Sequence, residues 1–335
     1  MWVGSNGGSG TISRIDIAHG GVTTFNHAGT ANWGAVDPAG NLWTTDQAAG
    51  VIRRVNASDG SISTFRPGFP NPSAIAVDAA GDVYVAQGGG HHGVFKLRGS
   101  DGTSMWGKLK VTAVMGAGSL AVDASGGVWV PDYGAGTKLK KLDGASGRLL
   151  GAYDAGDWQT GIAVDGSGDI WVTNQISGSV TKLKGSDGSR IGTYKVAPNA
   201  AGIAIDGSGN AWVTNGARVT KLGPGGNVIG TYDAGSNPSG GIAVDASGAV
   251  WVVNAGAASV TKLGPDGKII GTYRGVTTGG NLGDFTGFAL QRFVMRKPVR
   301  PRVAAAPPAR GPWTRLPDVP LKTTQYAALD EGGGV

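Results

Sequence analysis

The chain has 335 residues, 62 of them glycine and none cysteine, which excludes disulfides, thiolate metal sites and cysteine nucleophiles. Its net charge of +6 sits at the end of the sequence: residues 1–291 hold 21 basic and 20 acidic side chains, and residues 292–335 hold 8 and 3. A near-neutral folded part lacks the basic face that nucleic acid requires, so no nucleic-acid partner is expected.

No window approaches the roughly 18 apolar residues of a membrane span. The first residues, Met1-Trp2-Val3-Gly4, lack the basic start and apolar core of a signal peptide.

One phrase returns seven times. The aromatic that opens its second apolar stretch falls at Trp2, Trp43, Tyr84, Trp129, Trp171, Trp212 and Trp251. A period near 40 built from short β runs predicts an all-β fold, a seven-bladed β-propeller of four-stranded antiparallel blades. The chain enters this pattern in mid-repeat, at Trp2-Val3, which implies that sequence upstream is missing from it.

A full copy starts with Ile162-Ala163-Val164, short and small enough for an innermost strand. Asp165-Gly166-Ser167-Gly168 then turns the chain, with the Asp side chain bonding nearby backbone N–H groups and Gly tolerating positive φ. Ile170-Trp171-Val172-Thr173 and Val180-Thr181-Lys182-Leu183 supply the second and third strands. Asp187-Gly188 marks a hairpin into the fourth, Ile191-Gly192-Thr193-Tyr194. The recurrent Trp reads as a wedge between blades, worth roughly 4–6 kcal/mol each before entropy is subtracted.

The missing first strand of the first repeat reappears late, as Gly287-Phe288-Ala289-Leu290-Gln291. A strand at about 287–294 is therefore expected to pair with the N-terminal blade and close the ring, removing its open edges. The propeller is assigned to residues 1–295. Residues 296–312, rich in Pro, Ala and Arg, read as an extended linker. Within residues 313–335, Trp313-Thr314-Arg315-Leu316-Pro317 and Tyr326-Ala327-Ala328 resemble the opening of a kelch repeat, a partial unit implying a longer polypeptide, or else a disordered tail.

Candidates for chemistry are few. The only glutamate is Glu331, and the histidines are His19, His27, His91 and His92. Asp37, Asp78, Asp123, Asp165, Asp206 and Asp245 recur as turn residues. The basic side chains of the third strands, Arg14, Arg54, Lys96, Lys141, Lys182, Lys221 and Lys262, read as the solvated side of a half-exposed strand. Asp46, Gln87, Asp132, Asn174, Asn215 and Asn254 follow the second strands, as turn caps or as a polar ring at the pore.

Departures from the repeat mark function better, because the scaffold does not require them. Trp33 and Trp158 fall in loops before first strands, His91 and His92 interrupt a glycine loop, Tyr133 follows Asp132, and Asp157 adjoins Trp158. Connectivity puts them on one loop face, where aromatics beside polar groups form a ligand surface. His91, His92 and Asp132 are the candidate metal ligands, for Mg²⁺ or Ca²⁺, although no cofactor is required.

The phrase Gly161-Ile162-Ala163-Val164-Asp165 with Ile170-Trp171-Val172-Thr173-Asn174 and Ser179-Val180-Thr181-Lys182-Leu183 resembles bacterial propellers of the NHL and YVTN repeat type. It also resembles the virginiamycin B (streptogramin) lyase family. The first resemblance implies a secreted or surface protein, and the second a seven-bladed lyase with Mg²⁺ and a His/Glu site. Residues 1–291 hold no glutamate, so that family's catalytic residues do not carry over. The expected function is a non-catalytic binding module of a larger extracytoplasmic protein, with a protein, peptide or glycan on the loop face. The alternatives are a metal-dependent lyase of the streptogramin type and an architectural spacer.

Overall fold

The computed structural model describes residues 1–276 apart from 5–9, 18, 28, 89–92, 107–117, 132–136 and 236–237. All lie in the first of two units, Met1–Lys297 and Pro298–Val335. The expected closing strand at 287–294, the linker at 296–312 and the kelch-like segment at 313–335 fall outside the described residues.

Seven sheets follow one another along the chain. Blade 1 holds Trp2–Gly4, Thr11–Ile15 and Val22–Asn26. Blade 2 holds Trp33–Val36, Leu42–Asp46, Val51–Val55 and Ile62–Phe65. Blade 3 holds Pro72–Val77, Val83–Gln87 and Val94–Leu97. Blade 4 holds Ala121–Val122, Gly127–Val130, Lys138–Asp143 and Leu149–Asp154. Blade 5 holds Gln159–Val164, Ile170–Asn174, Ser179–Leu183 and Arg190–Lys195. Blade 6 holds Ala200–Ile205, Ala211–Asn215, Arg218–Leu222 and Val228–Asp233. Blade 7 holds Pro238–Val244, Val250–Asn254, Ser259–Leu263 and Ile269–Arg274. Pairing is antiparallel, and each strand meets the next in sequence. Blade 1 starts with its second strand, as the phase of the repeat predicts. The result is a seven-bladed β-propeller.

The wedge reading of the aromatics holds in detail. Trp171 of blade 5 packs with Ile203, Val213 and Leu222 of blade 6. Trp212 does the same against Ile242, Val252 and Leu263 of blade 7. The last junction is made too: Trp251 of blade 7 shares a cluster with Val3, Ile12 and Ile15 of blade 1. Each wedge is backed inside its blade by a second aromatic, on the outermost strand in every blade but the third, as in Trp171–Tyr194 with centroids 5.9 Å apart; in blade 3 it is Trp106 against Tyr84.

Those fourth-strand aromatics also hook the next blade. Tyr153 lies against Gly188, Tyr194 against Gly226 and Tyr232 against Gly267. These glycines have φ of +72°, +88° and +82°, and a Cβ there would overlap the ring. Tyr273 reaches Gly20 of blade 1 in the same way, so the circle closes through described residues.

The turn aspartates do more than turn the chain. Asp165 Oδ1 accepts from Ser167 N at 2.8 Å and Asp169 N at 3.0 Å, while Oδ2 accepts from Trp171 Nε1 at 2.9 Å. Lys182 Nζ lies 2.9 Å from the same Oδ2 and donates to Pro224 O of blade 6 at 3.2 Å. It also sits 4.7 Å from the Trp171 ring centroid. Lys141 repeats this with Asp123, Trp129 and Gly185 O, and Lys221 with Asp206, Trp212 and Pro265 O. Burial pushes Asp123, Asp165 and Asp245 upward. Hydrogen bonds from neighbouring Ser or backbone groups, the indole and, for the first two, Lys outweigh it and hold all three below the ordinary range.

The solvated reading of the third-strand bases is thereby corrected. Lys96, Lys182 and Lys221 are buried, because their stems cross the Trp or Tyr ring and their charges end on a carboxylate and the next blade's carbonyl. Removing one member of such a buried pair leaves an uncompensated charge. Lys182→Ala is expected to lower the unfolding free energy by about 3 kcal/mol. Lys184→Ala, which breaks an exposed 3.8 Å contact with Asp187, is expected to leave the denaturation midpoint unchanged. Urea titrations of the two variants side by side check this.

Candidate functional site

The loops that join second to third strands, and fourth strands to the next first strand, share one face of the ring. Trp158 stands on that face in the loop entering blade 5, half-buried beside half-buried Asp157. Its φ is +47°, and Asn71 and Asn199 hold the same place before the first strands of blades 3 and 6 with φ of +53° and +64°. Asn tolerates this left-handed conformation, whereas a bulky side chain there costs on the order of 1–3 kcal/mol. The loop after the second strand of the same blade braces it, since Gln175 N donates to Trp158 O at 3.1 Å, and the loop entering blade 6 holds that brace in turn, since Asn199 N donates to Gln175 O at 3.2 Å.

Trp33 is placed differently from the expectation. It is the first residue of a strand, opposite Thr45, and packs half-buried on the cluster that holds Trp43, Phe69 and Phe95. Two blades separate it from Trp158. His91, His92, Asp132 and Tyr133 lie outside the described residues. Among the described residues no three His, Cys, Asp or Glu side chains gather as a metal cluster.

The residues read as a polar ring do not open onto a pore. Asp46, Gln87, Asn174, Asn215 and Asn254 are all buried. The reason is strand parity: Asn174 shares the face of Ile170 and Val172, which packs on blade 4. Its Nδ2 donates to Thr181 Oγ1 at 2.9 Å, and Asn215 and Asn254 reach Thr220 and Thr261 at 2.9 and 2.8 Å. Gly156 and Gly235, in the crossing loops, lie against the Asn174 and Asn254 amides where a Cβ would collide. Among the described residues the three Oδ1 atoms have no hydrogen-bond partner.

Blade 2 replaces this neutral Asn–Thr column with a charged one. Arg53 Nη1 donates to Asp46 Oδ2 at 2.6 Å, and Thr30 Oγ1 donates to Asp46 Oδ1 at 2.7 Å. Burial raises the Asp46 carboxyl, but the Arg53, Ala49 and Thr30 bonds more than reverse it, so its pKa lies below the ordinary value. Nearby His27 is fully buried, with Nε2 2.7 Å from Thr44 Oγ1. The substitution was open to sequence reasoning, since Asp46 and Arg53 stand at the register of Asn174 and Thr181.

Beside this column, at the loop face between blades 2 and 3, lies a cleft of about 470 Å³. One wall is Gln47, Ala48, Ala49 and Gly50, and the other runs from Arg66 through Phe69 to Asn71. The first wall is fixed by Asn32 Oδ1, which accepts from Gln47 N at 3.0 Å, and by Asp46 Oδ1, which accepts from Ala49 N at 3.0 Å. The second is fixed by Phe69, stacked on Phe95 at 3.7 Å, and by Gly88 N donating to Asn71 O at 2.8 Å. Sequence reasoning missed this cleft. Its one visible signal was Phe95, where the third strands of blades 5, 6 and 7 carry Thr.

No family model and no curated protein matches the chain. Solved structures do. A streptogramin B lyase superposes with a TM-score of 0.64 at 20% identity, over 73% of this chain and 82% of that one. Virginiamycin B lyase from Staphylococcus aureus gives 0.62 at 16% identity, over 73% and 84%. A functionally unknown protein from Desulfotomaculum acetoxidans gives 0.74 at 11% identity, over 84% and 96%. At these identities the likeness carries the fold alone, which the chain shares with the streptogramin lyases.

His27 makes the charged column sensitive to pH. Burial lowers its pKa from the ordinary 6.5, and Arg53 adds to this against the opposing pull of the Gly29 carbonyl and Asp46. The unfolded chain therefore takes up the proton first as pH falls, so stability is lost as pH drops from 7 through 6.5 toward the folded value. His27→Gln is expected to flatten the melting temperature over that window, as measured by thermal denaturation at pH 7, 6 and 5.

Proposed function

We propose that this propeller is a binding module that engages a protein, peptide or glycan on its loop face, as one part of a larger extracytoplasmic protein. The observation that carries the reading is Trp158, a half-exposed aromatic held at φ +47° where equivalent loops hold Asn. Strain of that kind persists when the surrounding structure imposes it and clusters at ligand clamps. A half-exposed indole supplies the large, rigid anchor that dominates recognition surfaces. The recurring carboxylates and lysines, by contrast, are taken up in holding the blades together, which leaves recognition to the loops.

A second reading is a metal-dependent lyase of the streptogramin type, favoured by the shared fold over 82% of the streptogramin B lyase. That reading depends on His91, His92 and Asp132 acting as ligands for a divalent cation.

Trp158→Asn separates anchor from scaffold, because it installs the residue that Asn71 and Asn199 supply elsewhere. Glycan and peptide arrays identify a ligand for the full chain, and calorimetry then compares the variant. The expected result is binding weakened about tenfold or more with the melting temperature held or raised. Unchanged affinity, or a collapse of stability, removes the basis of the reading.

A further inference from the structure

The cleft between blades 2 and 3 is not part of the repeat. Its walls are set by interactions particular to these two blades: the buried Asp46–Arg53 pair beneath one and the Phe69–Phe95 stack beneath the other. A buried ion pair is a costly replacement for the neutral Asn–Thr column of blades 5, 6 and 7, so stability alone does not account for it.

The polar side chains of the cleft lack partners among the described residues. Gln47, Arg66 and Asn71 line it, and their side chains make no hydrogen bond or ion pair with other described residues. Arg66 is exposed and is the one charged side chain in the lining. No carboxylate faces it there. A guanidinium presents a planar fork of donors matched to carboxylate and phosphate oxygens, and the two amides add further donors. Phe69 and Pro70 give the same cleft an apolar floor beside the charge.

We infer that this cleft holds an oxyanion of the ligand, a carboxylate or a phosphate group, through Arg66, with Gln47 and Asn71 as supporting amide donors. The inference rests on the reading of the loop face as the binding face, and adds the charge of what binds there. The Asp46–Arg53 pair lies beneath the wall that carries Gln47 and holds that wall in place before the ligand arrives.

The test uses the full chain labelled with ¹⁵N, titrated with sodium acetate and, separately, with sodium phosphate at constant ionic strength. The expected result is saturable shifts of the Gly50, Arg66 and Gly68 amides and of the Arg66 side-chain N–H with at least one ion. The tighter ion names the source of the oxyanion. Arg66→Gln, at an exposed partnerless side chain, is expected to fold normally and to weaken the titration about tenfold. Lys184→Ala, at an exposed residue outside the cleft, is expected to leave it unchanged. Failure of both ions to saturate, or an Arg66→Gln variant that titrates like the parent, overturns the inference. The two readings fail separately, since loss of macromolecular binding in Trp158→Asn bears on the loop face and the ion titrations bear on the cleft.

Discussion

A carboxylate at the end of each described innermost strand, in blades 2 to 7, organises the ring. In blade 5 it closes its own turn through backbone N–H groups, orients the indole that wedges the next blade, and neutralises a lysine that reaches across the seam. Asp123 and Asp206 do the same in blades 4 and 6. The three tasks are linked by burial. Once the Trp is inside, its N–H needs an acceptor. Once the Asp is inside, it needs a cation, and once the Lys is inside, its remaining protons need a carbonyl. Each group makes burial of the next affordable, and the chain of requirements ends on the backbone of the following blade.

Blade 3 tests the logic by substitution. Tyr84 takes the place of Trp, and its hydroxyl lies 3.1 Å from both Asp78 Oδ2 and Gly144 O. Burial pushes this phenol up to about 12, so it remains a neutral donor in the position of the indole N–H. Blade 1 is the other variation. Trp2 has no Asp from its own blade among the described residues, and its indole N–H donates to Gly40 O of blade 2 at 3.3 Å instead.

The fold was legible because period, turn glycines and aromatic spacing are all local properties of the chain. The seams were not. Lys182 gives no sign in sequence that its ammonium ends on Pro224 O, since that partner belongs to the next repeat and is read only when blades stand side by side. Asn174 misled for a related reason: its place after a strand says which face of the ring it is near, but strand parity turns it into the blade. Trp33 was legible as a departure from the repeat but not as strand, because nothing before Gly34 marks where the innermost pairing with Thr45 begins. The cleft depends on two blades jointly, through Asp46 with Arg53 and Phe69 with Phe95, and no single repeat contains it.

The hooks between blades all point one way. Phe25 meets Gly60, Phe65 meets Gly102, and Tyr153, Tyr194, Tyr232 and Tyr273 meet Gly188, Gly226, Gly267 and Gly20, each ring reaching the following blade of the circle. Such polarity makes the junctions among blades 4 to 7 interchangeable: inserting or deleting a whole copy there would leave each neighbouring contact chemically as it was. Nothing in the adhesive therefore counts to seven. That number must come from the taper of the wedges, and gradual change in side-chain bulk at the rim is the route by which such a lineage could gain or lose a member.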